Sequence, residues 1–251
     1  MQVVVNSLLT TYQKLGQDHK PTLLIVHGWG DSSAGWLAFG KQLAWQYQVV
    51  VVDLPGFGRT DMPHDVWGLD EYAAFVAAFM KKINLTPFAI IGHSNGGAIA
   101  IRGLAQGVLH ADKLILLASA GVRSEYKGRK RILRVVAKTG KALVMPLPDT
   151  IKQRLRRKLY TTVGSDMLVA EHLQETFKRV VGDDVQADAA QLNMPVLLVY
   201  GQNDIATPSV YGRLLHERID GSTLEIIGDA EHFLHTDQPE KVLKIVEGFL
   251  S

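Results

Sequence analysis

The chain has 251 residues, 47% hydrophobic and 21% charged, which is enough for one large core or for one domain carrying an insertion. It has no cysteine, which excludes disulfides, thiolate catalysis and cysteine-ligated metals, and a formal net charge of +2 carries no overall nucleic-acid signature. No run approaches the roughly 20 apolar residues that cross a bilayer, and the opening MQVVVNSLLTTYQ has no basic stretch or small-residue cleavage site, so a cytoplasmic protein without a transmembrane segment is expected.

In chain order, QVVV and LLTTYQKLG predict a hairpin-like pair turning at Asn6 and Ser7. TLLIVHG, ending at Gly28, is a buried strand, followed by a helical stretch from Ala34 to Gln46. QVVVVDLPG is a second buried run, cut off by Pro55 and Gly56. In LDEYAAFVAAFMKKI the residues Leu69, Tyr72, Ala73, Val76, Phe79, Met80 and Ile83 recur at the i, i+3, i+4 spacing of a helix. FAIIGHS, a helix from Asn95 to Gln106, and KLILLAS follow; PVLLVYG and TLEIIGD later repeat the strand pattern, and PEKVLKIVEGFL closes as a helix. Near-continuous Val, Ile and Leu strands separated by helices predict an α/β protein with a parallel sheet buried on both faces.

The alternation stops between Gly121 and Asn193, where helical patterns occur without a convincing strand. RKRILRVVAKTGKALVM puts Ile132, Val135, Val136, Leu143 and Val144 on one side and most of its basic residues on the other. PLPD interrupts, and DTIKQRLRRKL and SDMLVAEHLQETFKRVV restart as helices with Asp149 and Ser165 as N-caps. The expected organisation is a core of residues 1–121 and 194–251 with a helical cap inserted over 122–193. From Arg123 to Lys158 the cap has 13 Lys and Arg against 2 acids, a local excess of +11. Amphipathic helices with their basic faces in water account for this. It would equally draw an anionic substrate or bring the cap to a membrane interface. No nucleic-acid-binding module accompanies the charge.

Gly92-His93-Ser94-Asn95-Gly96 fits G-x-S-x-G, between an apolar strand and a helix. A sharp strand-to-helix turn needs small residues at 92 and 96 and lifts a serine above the sheet's carboxyl edge. A lone serine there could be an N-cap. As a nucleophile it needs a base, and the base an orienting acid, following in the order acid then histidine. GQNDIATP supplies Asp204 after one strand and GDAEHFLH supplies His232 before the last helix. Asp229 and Glu231 are rival acids close to His232, His93 and His235 are expected to be packing residues, and Asp53 a turn-stabilising carboxylate. Backbone N–H groups of Trp29, between Gly28 and Gly30 in HGWG, and of Asn95 are the candidate oxyanion donors. No histidine spacing suits a metal, and neither metal nor cofactor is expected.

On HGWG, DLPGFGRT, GHSNGG, GQNDIATP and AEHFLHTDQPEKV the chain resembles the α/β-hydrolase superfamily, in its cap-bearing serine hydrolase and carboxylesterase branch. The resemblance implies an eight-stranded, mostly parallel sheet with helices on both faces and a cap inserted after the sixth strand. It implies a small-molecule ester substrate and catalysis by Ser94, His232 and Asp204. HGWG and DLPGFGR also resemble the methyl ester esterases of biotin synthesis, although SNGG stands here where SLGG is expected. Serine at position 94 argues against the dehalogenases and epoxide hydrolases of this fold, and Phe233 replaces the tryptophan usual in carbon–carbon hydrolases. Thioester, lactone or carbon–carbon hydrolysis, and a ligand receptor with little turnover, are the alternatives.

Overall fold

The apolar runs become eight strands in the structure, a computed structural model that describes residues 1–123 and 173–251. Strands β1 (Gln2–Val5) and β2 (Leu8–Leu15) form the expected hairpin. Its two turn residues, Asn6 and Ser7, both take positive φ, 47° and 68°, as a tight two-residue connection requires. The others are β3 (Thr22–Val26), β4 (Gln48–Val52), β5 (Ala89–His93), β6 (Lys113–Leu117), β7 (Val196–Gly201) and β8 (Thr223–Ile227). Their order is β1-β2-β4-β3-β5-β6-β7-β8. β2 runs antiparallel to β1 and β4, and every later pairing is parallel.

Side chains alternate across this sheet, so each central strand feeds two cores. Leu24, Val26, Val50, Val52, Leu114, Leu116 and Leu198 join one cluster; Leu23, Ile25, Val49, Val51, Ile115, Leu117 and Leu197 join the other. Burial on both faces is why these strands read as continuous apolar runs instead of alternating ones.

The second cluster is covered by a short 3-10 turn (Ser33–Trp36), α1 (Leu37–Leu43) and the C-terminal helix (Pro239–Leu250). The first is covered by α2 (Leu69–Lys82) and α3 (Asn95–Ala105). Helix α2 starts where the Glu71 carboxylate accepts the Gly68 N–H at 2.7 Å, and it carries acids in its first turn and Lys81 and Lys82 in its last. Both ends therefore complement the helix dipole. The expected helical stretch from Ala34 to Gln46 is realised as a 3-10 turn (Ser33–Trp36) followed by α1, which ends at Leu43 and continues as turns onto the Leu43 carbonyl.

From residue 173 onward come α4 (Gln174–Gly182), α5 (Gln186–Ala189), α6 (Ser209–His216) and α7 (Leu234–Asp237), and the closing helix is α8. Eight residues or fewer give α5, α6 and α7 too little periodicity to announce themselves in sequence. Within SDMLVAEHLQETFKRVV the helix is seen from Gln174. Ser165, Asp149 and the basic stretch lie outside the described residues. Among the described residues no helix is long and apolar enough to cross a membrane.

Candidate active site

The strand order changes direction at β3 and β5, whose carboxyl ends lie side by side with Val26 opposite Gly92. A crevice at such a point is where open parallel sheets hold ligands. Here it juxtaposes the HGWG loop with the serine turn. Ser94 has φ 51° and ψ −119°, a conformation disfavoured for any residue with a side chain. Its backbone is pinned on three sides: its N–H donates to the Leu117 carbonyl at 3.1 Å, and its carbonyl accepts from Gly97 at 3.0 Å and Ala120 at 2.9 Å.

The glycines around it are there for want of space. A Cβ on Gly96 would lie 2.1 Å from the Val26 carbonyl oxygen, and one on Gly92 would lie 2.6 Å from Gly97 Cα. A Cβ on Gly28 would sit 2.9 Å from Ser94 Cβ, so the HGWG loop runs directly against the serine, and Gly30 turns it with φ 75°. Asn95 is the first residue of α3, so its N–H belongs to the first turn, where no intrahelical acceptor exists.

The loops after β7 and β8 are stitched together by Gln202 N–H to the Ile227 carbonyl (2.9 Å) and Asn203 N–H to the Ala230 carbonyl (3.0 Å). This brings His232 Nδ1 to 2.8 Å from Asp204 Oδ2. The Asp204 side chain is fully buried, whereas Asp229 and Glu231 are exposed, so Asp204 is the carboxylate that meets the ring. Its other oxygen accepts the N–H groups of Ala206 (2.8 Å) and Thr207 (2.9 Å). The Thr207 hydroxyl oxygen lies 2.8 Å from Asp204 Oδ2, 3.1 Å from His232 Nδ1 and 2.9 Å from the Ala118 carbonyl. Sequence reasoning passed over Thr207. The D-x-x-T spacing was its signal, because an aspartate commonly accepts N–H groups two and three residues on.

Three more histidines pack behind these loops. His27 Nε2 accepts the Leu54 N–H at 2.9 Å, so the ring proton sits on Nδ1 and is donated to the Gly28 carbonyl at 2.7 Å. Burial lowers its pKa and keeps it neutral, and that bond fixes the HGWG loop from below. His93 Nε2 lies 3.0 Å from the His232 carbonyl and holds the backbone of that loop. Burial, then repulsion from His232 and His235, lowers the His93 pKa well below its ordinary value. His235 is buried and stacked on Trp36, and Asp237 accepts the Glu231 N–H at 2.9 Å to close the same loop. Asp53 is the turn carboxylate that was expected: it accepts Ser33 N–H at 2.6 Å and Arg59 N–H at 3.0 Å.

Ser94 and Asn95 line a cavity together with Trp29, the apolar Val122, Phe177, Val180 and Val181, and the polar Asp183, Thr207 and Tyr211. Phe177 and Val180 lie on α4, which supplies one wall. The imidazole of His232 has its Nδ1 held by a buried carboxylate, and Ser94 follows directly on β5 at the carboxyl edge of the same sheet. Among the described residues no group of three or more His, Asp and Glu side chains is placed to hold a metal ion.

A family model described as "Alpha/beta hydrolase family" matches residues 23–245. An uncharacterised Mycobacterium tuberculosis protein is 27% identical over 92% of this chain and 75% of its own length. A pimeloyl-[acyl-carrier protein] methyl ester esterase from Aeromonas hydrophila is 26% identical over 95% of this chain and 98% of that protein. Among solved structures, that of a membrane phospholipase A superposes with a TM-score of 0.81 at 24% identity, covering 100% of this chain and 84% of the other.

Proposed function

Because the chain belongs to the alpha/beta hydrolase family, we propose that it is a serine hydrolase that cleaves carboxylic esters of small to medium acyl groups through an acyl-enzyme. The observation that carries the reading is the 2.8 Å contact of His232 Nδ1 with the buried Asp204 carboxylate, on a sheet edge that also presents Ser94 in a disfavoured turn.

With Nδ1 engaged by Asp204, the His232 Nε2 is left to take the Ser94 Oγ proton as Oγ attacks the ester carbonyl carbon. The negative oxygen that forms is held by the N–H groups of Trp29 and Asn95, the second aided by the positive end of α3. His232 then returns the proton to the departing alcohol. A water molecule repeats the sequence on the acyl-enzyme and frees the acid. Asp204 stays ionised throughout, orienting the ring and stabilising its charged form. The insertion over residues 122–193 serves as the roof of the acyl pocket, and its basic stretch favours anionic substrates. The methyl ester esterase relative supports an ester as the bond cleaved.

Hydrolysis of p-nitrophenyl esters from two to sixteen carbons, beside Ser94→Ala, tests the reading. Turnover that disappears in the variant is expected, with a chain-length optimum reporting pocket depth. Turnover that persists in Ser94→Ala, or none in the folded wild type, overturns it.

A further inference from the structure

Two residues that line the cavity beside Ser94, Trp29 and Asn95, carry three buried polar atoms without a partner. The Asn95 side chain is 4% exposed and Trp29 is 6% exposed, and both line the same cavity as the serine. Asn95 Nδ2, Asn95 Oδ1 and Trp29 Nε1 are closed to water and have no hydrogen-bond partner. Leaving a buried donor or acceptor unpaired costs the full desolvation of that group, and native interiors almost always avoid it. Three such atoms on two residues of one cavity are a stronger signal than one; the same lining holds the apolar Val122, Phe177 and Val180 and the polar Asp183, Thr207 and Tyr211.

The atoms also specify what would satisfy them. Trp29 Nε1 and Asn95 Nδ2 donate, and Asn95 Oδ1 accepts. An alkyl chain offers neither function, and a ketone only accepts. A hydroxyl both donates and accepts. Asn95 directly follows the nucleophile in sequence, and the Trp29 loop lies against it, so the group recognised lies close to the scissile carbonyl.

We propose that the side chains of Asn95 and Trp29 form a hydroxyl-recognition subsite, and that the acyl groups this enzyme prefers carry a hydroxyl on the second or third carbon. This rests on the serine hydrolase reading above and assigns the side chains a role separate from that of their backbone N–H groups. A rotation about the Asn95 side-chain torsions as substrate enters presents the carboxamide to the hydroxyl. A site built to bond a hydroxyl discriminates strongly against the analogue lacking it, because its own groups are then left unpaired.

The test compares kcat/KM for ethyl butanoate, ethyl 2-hydroxybutanoate and both enantiomers of ethyl 3-hydroxybutanoate, each divided by its rate of hydroxide-catalysed hydrolysis. The wild type should favour at least one hydroxyester over butanoate by about tenfold or more. Asn95→Leu and Trp29→Phe should each pull that ratio towards one; the ratio is the readout, whatever happens to the absolute rates. Equal normalised values for all four esters in the wild type overturn the subsite while leaving the hydrolase reading intact. A ratio unchanged in both variants overturns it as well. Failure of the wild type to turn over any of these esters and any p-nitrophenyl ester defeats the hydrolase reading, and the subsite with it.

Discussion

The ring of His235 lies stacked on the indole of Trp36, centroids 3.9 Å apart and planes 16° from parallel. Trp36 is itself tied through Nε1 to the Asp31 carboxylate at 2.9 Å, so the pair joins the loop after β3 to the loop after β8. Burial brings the His235 pKa down from 6.5 to about 4. Between those values the unfolded chain binds a proton that the folded protein does not. Stability therefore falls as pH drops through that window, and the full contribution is present above pH 6.5. One such group is worth about 3 kcal/mol across the window. Urea midpoints between pH 4 and 8 should show this acid limb in the wild type and a flatter one in His235→Phe, which keeps the stack without the titration. Equal slopes would mean that other groups carry the acid limb.

Ser94 holds a disfavoured backbone conformation, and strain of this kind costs about 1–3 kcal/mol for a residue with a side chain. Ser94→Gly should therefore abolish ester turnover and raise the unfolding free energy by about 1 kcal/mol, whereas Ser94→Ala should abolish turnover without the gain. Thermal unfolding of the two variants side by side measures the difference. A glycine variant no more stable than the alanine one would show that the turn stores no strain.

Thr207 touches Asp204 and His232 and also reaches the Ala118 carbonyl at the end of β6. Its hydroxyl sits within hydrogen-bond distance of both the carboxylate and the imidazole, so under the proposed function it is a positioning residue. Asp204→Asn should lower kcat by about 10⁴, and Thr207→Val by on the order of tenfold, one hydrogen bond's worth of barrier. KM should change little in Thr207→Val, since the hydroxyl faces the pair and not the acyl chain. A rise in KM at constant kcat would assign Thr207 to substrate binding instead.

Arg102 on α3 is nearly buried and meets three carboxylates: Asp70 at 2.8 Å, Asp188 at 2.9 Å and Asp183 at 3.2 Å. It ties the segment from Asp183 to Asp188 to α2 and α3. Arg102→Met removes the cation and leaves three acids crowded together, partly screened because Asp70 and Asp183 reach solvent. The loss should be about 2–3 kcal/mol in denaturant unfolding, smaller in high salt, where the repulsion is screened. A loss unaffected by salt would point to packing of the Arg102 stem.

Gly96→Ala places its methyl carbon 2.1 Å from the Val26 carbonyl oxygen and 2.6 Å from that of His27. Both contacts are backbone, so neither can give way as a side-chain end would. A destabilisation above about 4 kcal/mol, or failure to fold, is expected. Thermal unfolding that matched the wild type would require β3 and α3 to move apart.

Most of the core could be read from the sequence because it depends on local order. Runs such as TLLIV and VLLVYG are apolar at every position since each strand is covered on both faces, and the pentapeptide around Ser94 is forced by a turn with no room at Gly92 and Gly96. The order of serine, acid and histidine likewise lies along the chain. Its place in the loop after Gly201 favours Asp204 over Asp229 and Glu231 in the sequence, but its contact with His232, the contacts of Thr207 and the brace that His27 gives the HGWG loop are not legible there. Those depend on which loops meet at the carboxyl edge of the sheet, with hydrogen bonds between residues as far apart as His93 and His232. The orphaned atoms of Asn95 and Trp29 belong to the same class, because a polar group is unpaired only with respect to everything that packs around it. Residue type and spacing fix which side chains can act, but partnership is a property of distance in space, and only the folded chain sets it.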